Sequence, residues 1–275
     1  MNTFTTWKEL SKGDGDEVVL AVDFDATGRG EARFSDFVPL MDPGHTVLET
    51  LPQAVASSPD TPADAYIKQW VDEIRASGKR VRAILAFCAG ATYAAAMAVE
   101  IEKTQGNFPQ TILFDPERAA AAPMYWQFHK AVGQMEAVLG AAEVGPVQDA
   151  AQRATEECTS LTDLARRLLL LYHTLARTAC EKLGLDERRR AEMTETAGGF
   201  LAYLSTAEQI DPTAAWKKCT AITSNTPTSG LNGFRALNPG HDADLVAEEI
   251  HFDVPHVEIL STPDIARTVS GLLAG

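Results

Sequence analysis

Three residues of this sequence have the types and the spacing for nucleophilic catalysis: Cys88, Asp115 and His256. Cys88 lies in Ala86-Phe87-Cys88-Ala89-Gly90, between an apolar run (VRAILAF) and an alanine-rich stretch. A strand that turns straight into a helix, with small residues flanking the corner, pushes the corner side chain out above a sheet. The usual form of such an elbow is G-x-S-x-G; here Ala86 takes the place of the first glycine, Cys88 that of the serine, and Gly90 is kept. Alanines at 91, 94, 95, 96 and 98 let the following helix approach the sheet closely. The partial positive charge at that helix end is expected to favour a thiolate. The backbone N–H of Ala89 is placed to stabilise an oxyanion. A buried free cysteine closing a strand is the competing reading.

A nucleophile needs a base and a group that orients the base. Asp115 ends the next strand, followed by Pro116, and the carboxyl end of a parallel strand lies on the same rim as the elbow. Its alternative role is a cap for the PERAAAA segment. The order that goes with this elbow is nucleophile, acid, histidine. His256 follows Pro255 and precedes the C-terminal helix, so it is the expected base; period-2 alternation puts His251 inside a strand. His129 and His173 fall in helical segments and His45 and His241 on loops, where surface or core roles are expected.

The elements that must position these residues alternate between strand and helix. VVLAVDF (18–24) is a continuous apolar run, as a strand buried on both faces requires, and HTVLETLP (45–52) is a second candidate. A helix follows with Thr61 as N-cap, Pro62 at its first position and Gly78 as its stop. Strand VRAILAF, a helix over about 89–104 and strand QTILFD come next. Such alternation predicts a mostly parallel sheet with right-handed crossovers. From about 119 to 213 no strand pattern occurs. That stretch reads as helices near 124–139 and 147–157, a strong one capped by Ser160 or Thr162 and ended by Gly184, and one broken at Gly198-Gly199. Strands resume with CTAITSN and EEIHFDVPH before a closing helix, TPDIARTVSGLLAG. The expected organisation is one domain over 1–275 with a helical lid inserted at about 119–213, before the last two strands.

Composition bounds the function classes. A chain of 275 residues with 45% hydrophobic and 23% charged residues is ordinary for a globular protein. A formal charge of -14 argues against nucleic acid and against binding an anionic membrane by bulk charge. The N-terminal MNTFTTWKEL lacks the pattern of a secretory signal, and no apolar run reaches the roughly 20 residues of a spanning helix. Cys88, Cys158, Cys180 and Cys219 form no C-x-x-C pair and have no matching histidine spacing for zinc. Reduced thiols in a cytoplasmic protein are therefore expected, with no metal and no cofactor.

The elbow AFCAGA, the aspartate of ILFDPE and the C-terminal VPHVEILSTPDIARTVSGLL together resemble the thioesterases of nonribosomal peptide and polyketide biosynthesis, within the α/β-hydrolase superfamily. The resemblance implies an α/β-hydrolase fold and a substrate carried as a thioester on the phosphopantetheine arm of an acyl or aminoacyl carrier protein. It implies a Cys88–His256–Asp115 triad, the second position the family uses for its acid being ITSNTPTSG here, with no carboxylate before Asp242. The sequence departs from the family in its cysteine nucleophile and in the loop DFDATGRG, where a His-Pro-Ala-Gly-Gly type of segment is usual. The second oxyanion donor is accordingly expected to be a backbone N–H at Asp25 or Ala26. Hydrolysis to the free acid is the first implied activity. Transfer to another thiol or an amine ranks close behind, because a cysteine acyl-enzyme is itself a thioester. A non-catalytic scaffold is the third reading. Arg166-Arg167, Arg188 to Arg190 and Lys217-Lys218 are candidate carrier-docking clusters, and Phe128, Tyr172, Phe200 and Tyr203 candidate pocket aromatics; solvated helix faces and helix core are the alternatives.

Overall fold

The computed structural model describes residues 4–25, 30–41, 44–52, 55, 58–239 and 245–274. Its centre is a seven-stranded sheet of β1 (Trp7–Ser11), β2 (Glu17–Val22), β3 (Thr46–Thr50), β4 (Arg80–Phe87), β5 (Gln110–Phe114), β6 (Thr220–Thr223) and β7 (Glu248–His251). The strand order is β1-β3-β2-β4-β5-β6-β7. Every neighbouring pair is parallel except β1 with β3. The sheet is thus the mostly parallel α/β sheet that the alternation of apolar runs predicts. Residues Val18 to Val22 have no exposed surface, as a strand covered on both faces requires. The antiparallel edge strand β1 was not anticipated: WKELS has no apolar run, and only Trp7 is buried.

Among the described residues the helices are α1 (Phe34–Phe37), α2 (Ala63–Ala76), α3 (Gly90–Gln105), α4 (Ala121–Gly133), α5 (Glu136–Leu139), α6 (Ala141–Glu157), α7 (Leu161–Leu183), α8 (Glu187–Ala207), α9 (Thr213–Trp216), α10 (Gly230–Leu237) and α11 (Pro263–Ala274). The chain divides into two compact units. One comprises Met1–Ala54, Asp64–Arg118 and Ile210–Gly275 and contains the sheet; the other comprises Val55–Ala63 and Ala119–Gln209.

In the helical unit, α7 starts where Ser160 Oγ accepts from the Asp163 N–H and stops at Gly184, whose φ of 64° suits a glycine. It packs against α6 and α8. Two expectations fail here. The expected break at Gly198-Gly199 is absent: α8 runs through both glycines, which are buried, and tertiary packing overrides their poor helix propensity of about 1 kcal/mol each. The helix expected to begin at Val147 begins at Ala141 and takes in Pro146 at its sixth position, where the proline offers no N–H to the Ala142 carbonyl. Phe128, Tyr172 and Tyr203 are buried within this unit. No described helix is long and apolar enough to cross a membrane.

Candidate active site

Strand register brings the first two candidate residues side by side. Phe87 is paired with Phe114, the last paired residues of β4 and β5, so Cys88 and Asp115 lie one step beyond on the carboxyl rim. The ladder continues through both: the Cys88 N–H donates to the Phe114 carbonyl at 2.9 Å, and the Asp115 N–H to the Ile222 carbonyl at 2.8 Å. Both residues turn sharply, with φ of 51° at Cys88 and 42° at Asp115. A non-glycine residue there costs strain, typically about 1–3 kcal/mol, and such strain concentrates at functional sites. Helix α3 starts two residues after Cys88, with Ala91, Ala94, Ala95 and Ala98 buried.

His256 opens a short 3-10 turn (His256–Ser261) after β7. Its Nδ1 lies 2.7 Å from Asp115 Oδ2. Asp115 is wholly buried, and its Oδ1 accepts the Ser224 N–H at 2.8 Å. Two further contacts hold the imidazole. Its backbone N–H donates to Thr226 Oγ1 at 2.8 Å, and its ring stacks on Phe87 with centroids 4.8 Å apart and planes 20° apart. Cys88 Sγ, a His256 ring nitrogen and a Glu117 carboxylate oxygen lie within 4.8 Å of one another. With Nδ1 engaged by Asp115, Nε2 is the ring nitrogen left to act as a base. Sulfur, imidazole and carboxylate at this spacing could also hold a zinc ion, leaving a fourth tetrahedral position open.

Glu117 is the member of this group that the sequence reading missed. The Cys88 thiol donates to its Oε2 at 3.5 Å, and the Gly230 N–H donates to its Oε1 at 3.0 Å. Its backbone N–H donates to the Cys88 carbonyl at 3.2 Å, and its carbonyl accepts from the Thr92 hydroxyl. A carboxylate two residues after the acid gives no motif; only the turn at Asp115 folds it back under the sulfur. Ser224 and Thr226 were missed because a backbone N–H and a single hydroxyl leave no pattern.

The electrostatics correct one expectation. Burial, then the Glu117 carboxylate, push the Cys88 thiol well above its ordinary pKa; the Ala89 N–H pulls the other way and is outweighed. The helix end therefore does not leave a standing thiolate. The expected oxyanion donor Ala89 is the N-cap residue of α3 and is largely buried. Ala26 lies outside the described residues. Asp25 is described, and its carboxylate bridges Arg33 at 3.1 Å and Lys8 at 3.4 Å. His251 closes β7, and His241 and Asp242 lie outside the described residues. The basic clusters carry their own counter-ions: Arg166 with Asp60 and Asp163, Arg167 with Glu157, Arg188 and Arg189 with Glu192, Arg190 with Glu187, and Lys218 with Glu102.

No protein-family model and no curated protein matches the sequence. Solved structures do match by fold. A four-domain nonribosomal peptide synthetase bound to AMP and glycine aligns over 98% of this chain, at 12% identity and a TM-score of 0.59; the alignment covers 20% of that longer protein. The NocB thioesterase domain, in covalent complex with a fluorophosphonate nocardicin G analog, aligns over 98% of this chain and all of its own length, at 14% identity and a TM-score of 0.51. A hydrolase from Oleispira antarctica aligns over 98% of this chain and 95% of its own, at 11% identity and a TM-score of 0.51. At these identities the likeness is one of fold, and this chain has the α/β-hydrolase fold.

Proposed function

We propose that the protein acts on thioesters of a phosphopantetheine-borne acyl or aminoacyl group through a covalent acyl-Cys88 intermediate. The observation that carries this reading is the buried Asp115 carboxylate 2.7 Å from His256 Nδ1, beside a cysteine on a strained elbow. The fold shared with thioesterase domains supports it. In this reading His256 takes the thiol proton as sulfur attacks the thioester carbonyl. A new S–C bond forms, the pantetheine S–C bond breaks, and the proton passes from His256 to the departing pantetheine sulfur. Because burial and Glu117 hold the thiol protonated, proton removal accompanies attack rather than preceding it. Asp115 holds the imidazole orientation and stabilises its cation. The Ala89 N–H, with a backbone donor at Asp25 or Ala26, receives the carbonyl oxygen as it becomes negative.

Water as the acceptor gives hydrolysis, the leading activity. The cysteine favours a second reading, transfer to a carrier thiol or an amine, since exchange between two thioesters is nearly balanced in free energy. The partner in either case is an acyl or aminoacyl carrier protein.

Incubating wild type and Cys88→Ala with an acyl-pantetheine thioester and reading intact mass tests the proposal. An acyl adduct on wild type alone is expected. Its clearance by water or by an added thiol separates hydrolysis from transfer, and no adduct with any thioester would leave the scaffold reading.

A further inference from the structure

The carboxylate of Glu117 is half-buried, touches the nucleophilic sulfur on one side and is fixed by the Gly230 N–H on the other. Among the described residues it makes no ion pair. A carboxylate held against a thiol is of no help in removing the thiol proton when a histidine oriented by aspartate already stands beside the same sulfur. It opposes that step, since its charge disfavours the thiolate. Apart from the imidazolium that forms on His256 within 4.8 Å during acylation, the positive group its position suits is one that arrives with the substrate.

Resting on the thioester reading above, we infer that Glu117 is a specificity-determining residue that pairs with the ammonium of an aminoacyl substrate, so that the site takes aminoacyl rather than neutral acyl thioesters. An α-ammonium is three bonds from the thioester sulfur, which puts it roughly 3–4 Å from Sγ once the group is on Cys88. Glu117 Oε2 lies 3.5 Å from Sγ, so an ammonium turned to the Glu117 side of the sulfur meets it without the carboxylate moving far. Acylation also removes the thiol hydrogen that Oε2 accepts, and the ammonium supplies a charge-assisted hydrogen bond in its place. A neutral acyl group of the same shape would leave Oε2 of this half-buried carboxylate without a donor, Oε1 keeping the Gly230 N–H, and a site built to hydrogen-bond a substrate group rejects the analogue that lacks it. The Gly230 N–H fixes the other carboxylate oxygen, so the charge stays aimed at the sulfur.

The isosteric pair L-alanyl-pantetheine and isobutyryl-pantetheine tests this, since it exchanges an ammonium for a methyl group. Rates of adduct formation on Cys88 are measured for wild type, Glu117→Gln and Glu117→Asp, and each protein is described by its alanyl-to-isobutyryl ratio. The ratio cancels the greater intrinsic reactivity of the aminoacyl thioester when proteins are compared. A fall of at least tenfold in Glu117→Gln is expected, with Glu117→Asp, which keeps the charge one methylene further back, in between. Equal ratios in the three proteins would overturn the inference while leaving the thioester reading intact. Loss of both adducts in both variants would also overturn it, making Glu117 a requirement of the chemistry itself. No adduct on wild type with either thioester would remove the thioester reading and this inference together.

Discussion

Gly230 stands so close to Asp115 that a Cβ on it would lie 2.8 Å from the aspartate Cα and 2.9 Å from its Oδ1. Its φ of 56° also favours glycine. Gly230→Ala is expected to lower stability by about 1–3 kcal/mol and to push Asp115 off His256, slowing Cys88 acylation. Urea unfolding beside single-turnover acylation checks both; unchanged acylation in a folded variant would show that Asp115 tolerates displacement.

Asp115→Asn keeps an acceptor for the Ser224 N–H but can present an amide N–H to His256 Nδ1. The wrong imidazole tautomer follows, and acylation should fall on the order of 10³–10⁴-fold with little change in fold. Rapid-quench kinetics against circular dichroism makes the comparison.

The Cys88 thiol should alkylate slowly at neutral pH, its iodoacetamide rate climbing only in the alkaline range. Removing the Glu117 charge removes a group that opposes the thiolate, so Glu117→Gln must move this rise to lower pH. A shift of one unit corresponds to roughly tenfold more thiolate at a given pH. Peptide mapping assigns the label among the four free cysteines. A plateau already reached at pH 7 in wild type would contradict the expectation.

Glu49 is wholly buried on β3. Burial, then the charge of Asp23, push it up from 4.5 to about 7, against the opposing pull of Lys8. Its folded pKa is raised, so between pH 4.5 and 7 the folded state holds a proton that the unfolded state releases, and stability declines with rising pH across that window. The decline attributable to this residue is about 3 kcal/mol, from 1.36 kcal/mol per unit, and it ends above pH 7. Urea unfolding of Glu49→Gln from pH 4.5 to 8 should show that slope flattened.

The parallel sheet was legible because its central strands are uninterrupted apolar runs, and Cys88, Asp115 and His256 were legible because each ends such a run or follows its last strand. The structure brings these three together. What escaped had no periodic or compositional mark. Edge strand β1 buries one residue of five, and α8 reads as two helices until its glycines are packed. Glu117, Ser224, Thr226 and Gly230 act through a fold-back, two backbone N–H groups and a lone hydroxyl. The reversal at Cys88 had a physical cause too: the helix end could be read in sequence, the carboxylate facing it could not.

His256 rests on Phe87, the residue immediately before Cys88 in the chain. Base and sulfur are thus referred to the same short piece of backbone although 168 positions separate them (256 − 88). Glu117 is referred to the same piece, its N–H on the Cys88 carbonyl and its own carbonyl on the Thr92 hydroxyl of the elbow helix. The base is therefore gripped from two adjacent strand ends at once, its ring face by the residue that leads into the nucleophile and its Nδ1 by the residue that closes the next strand.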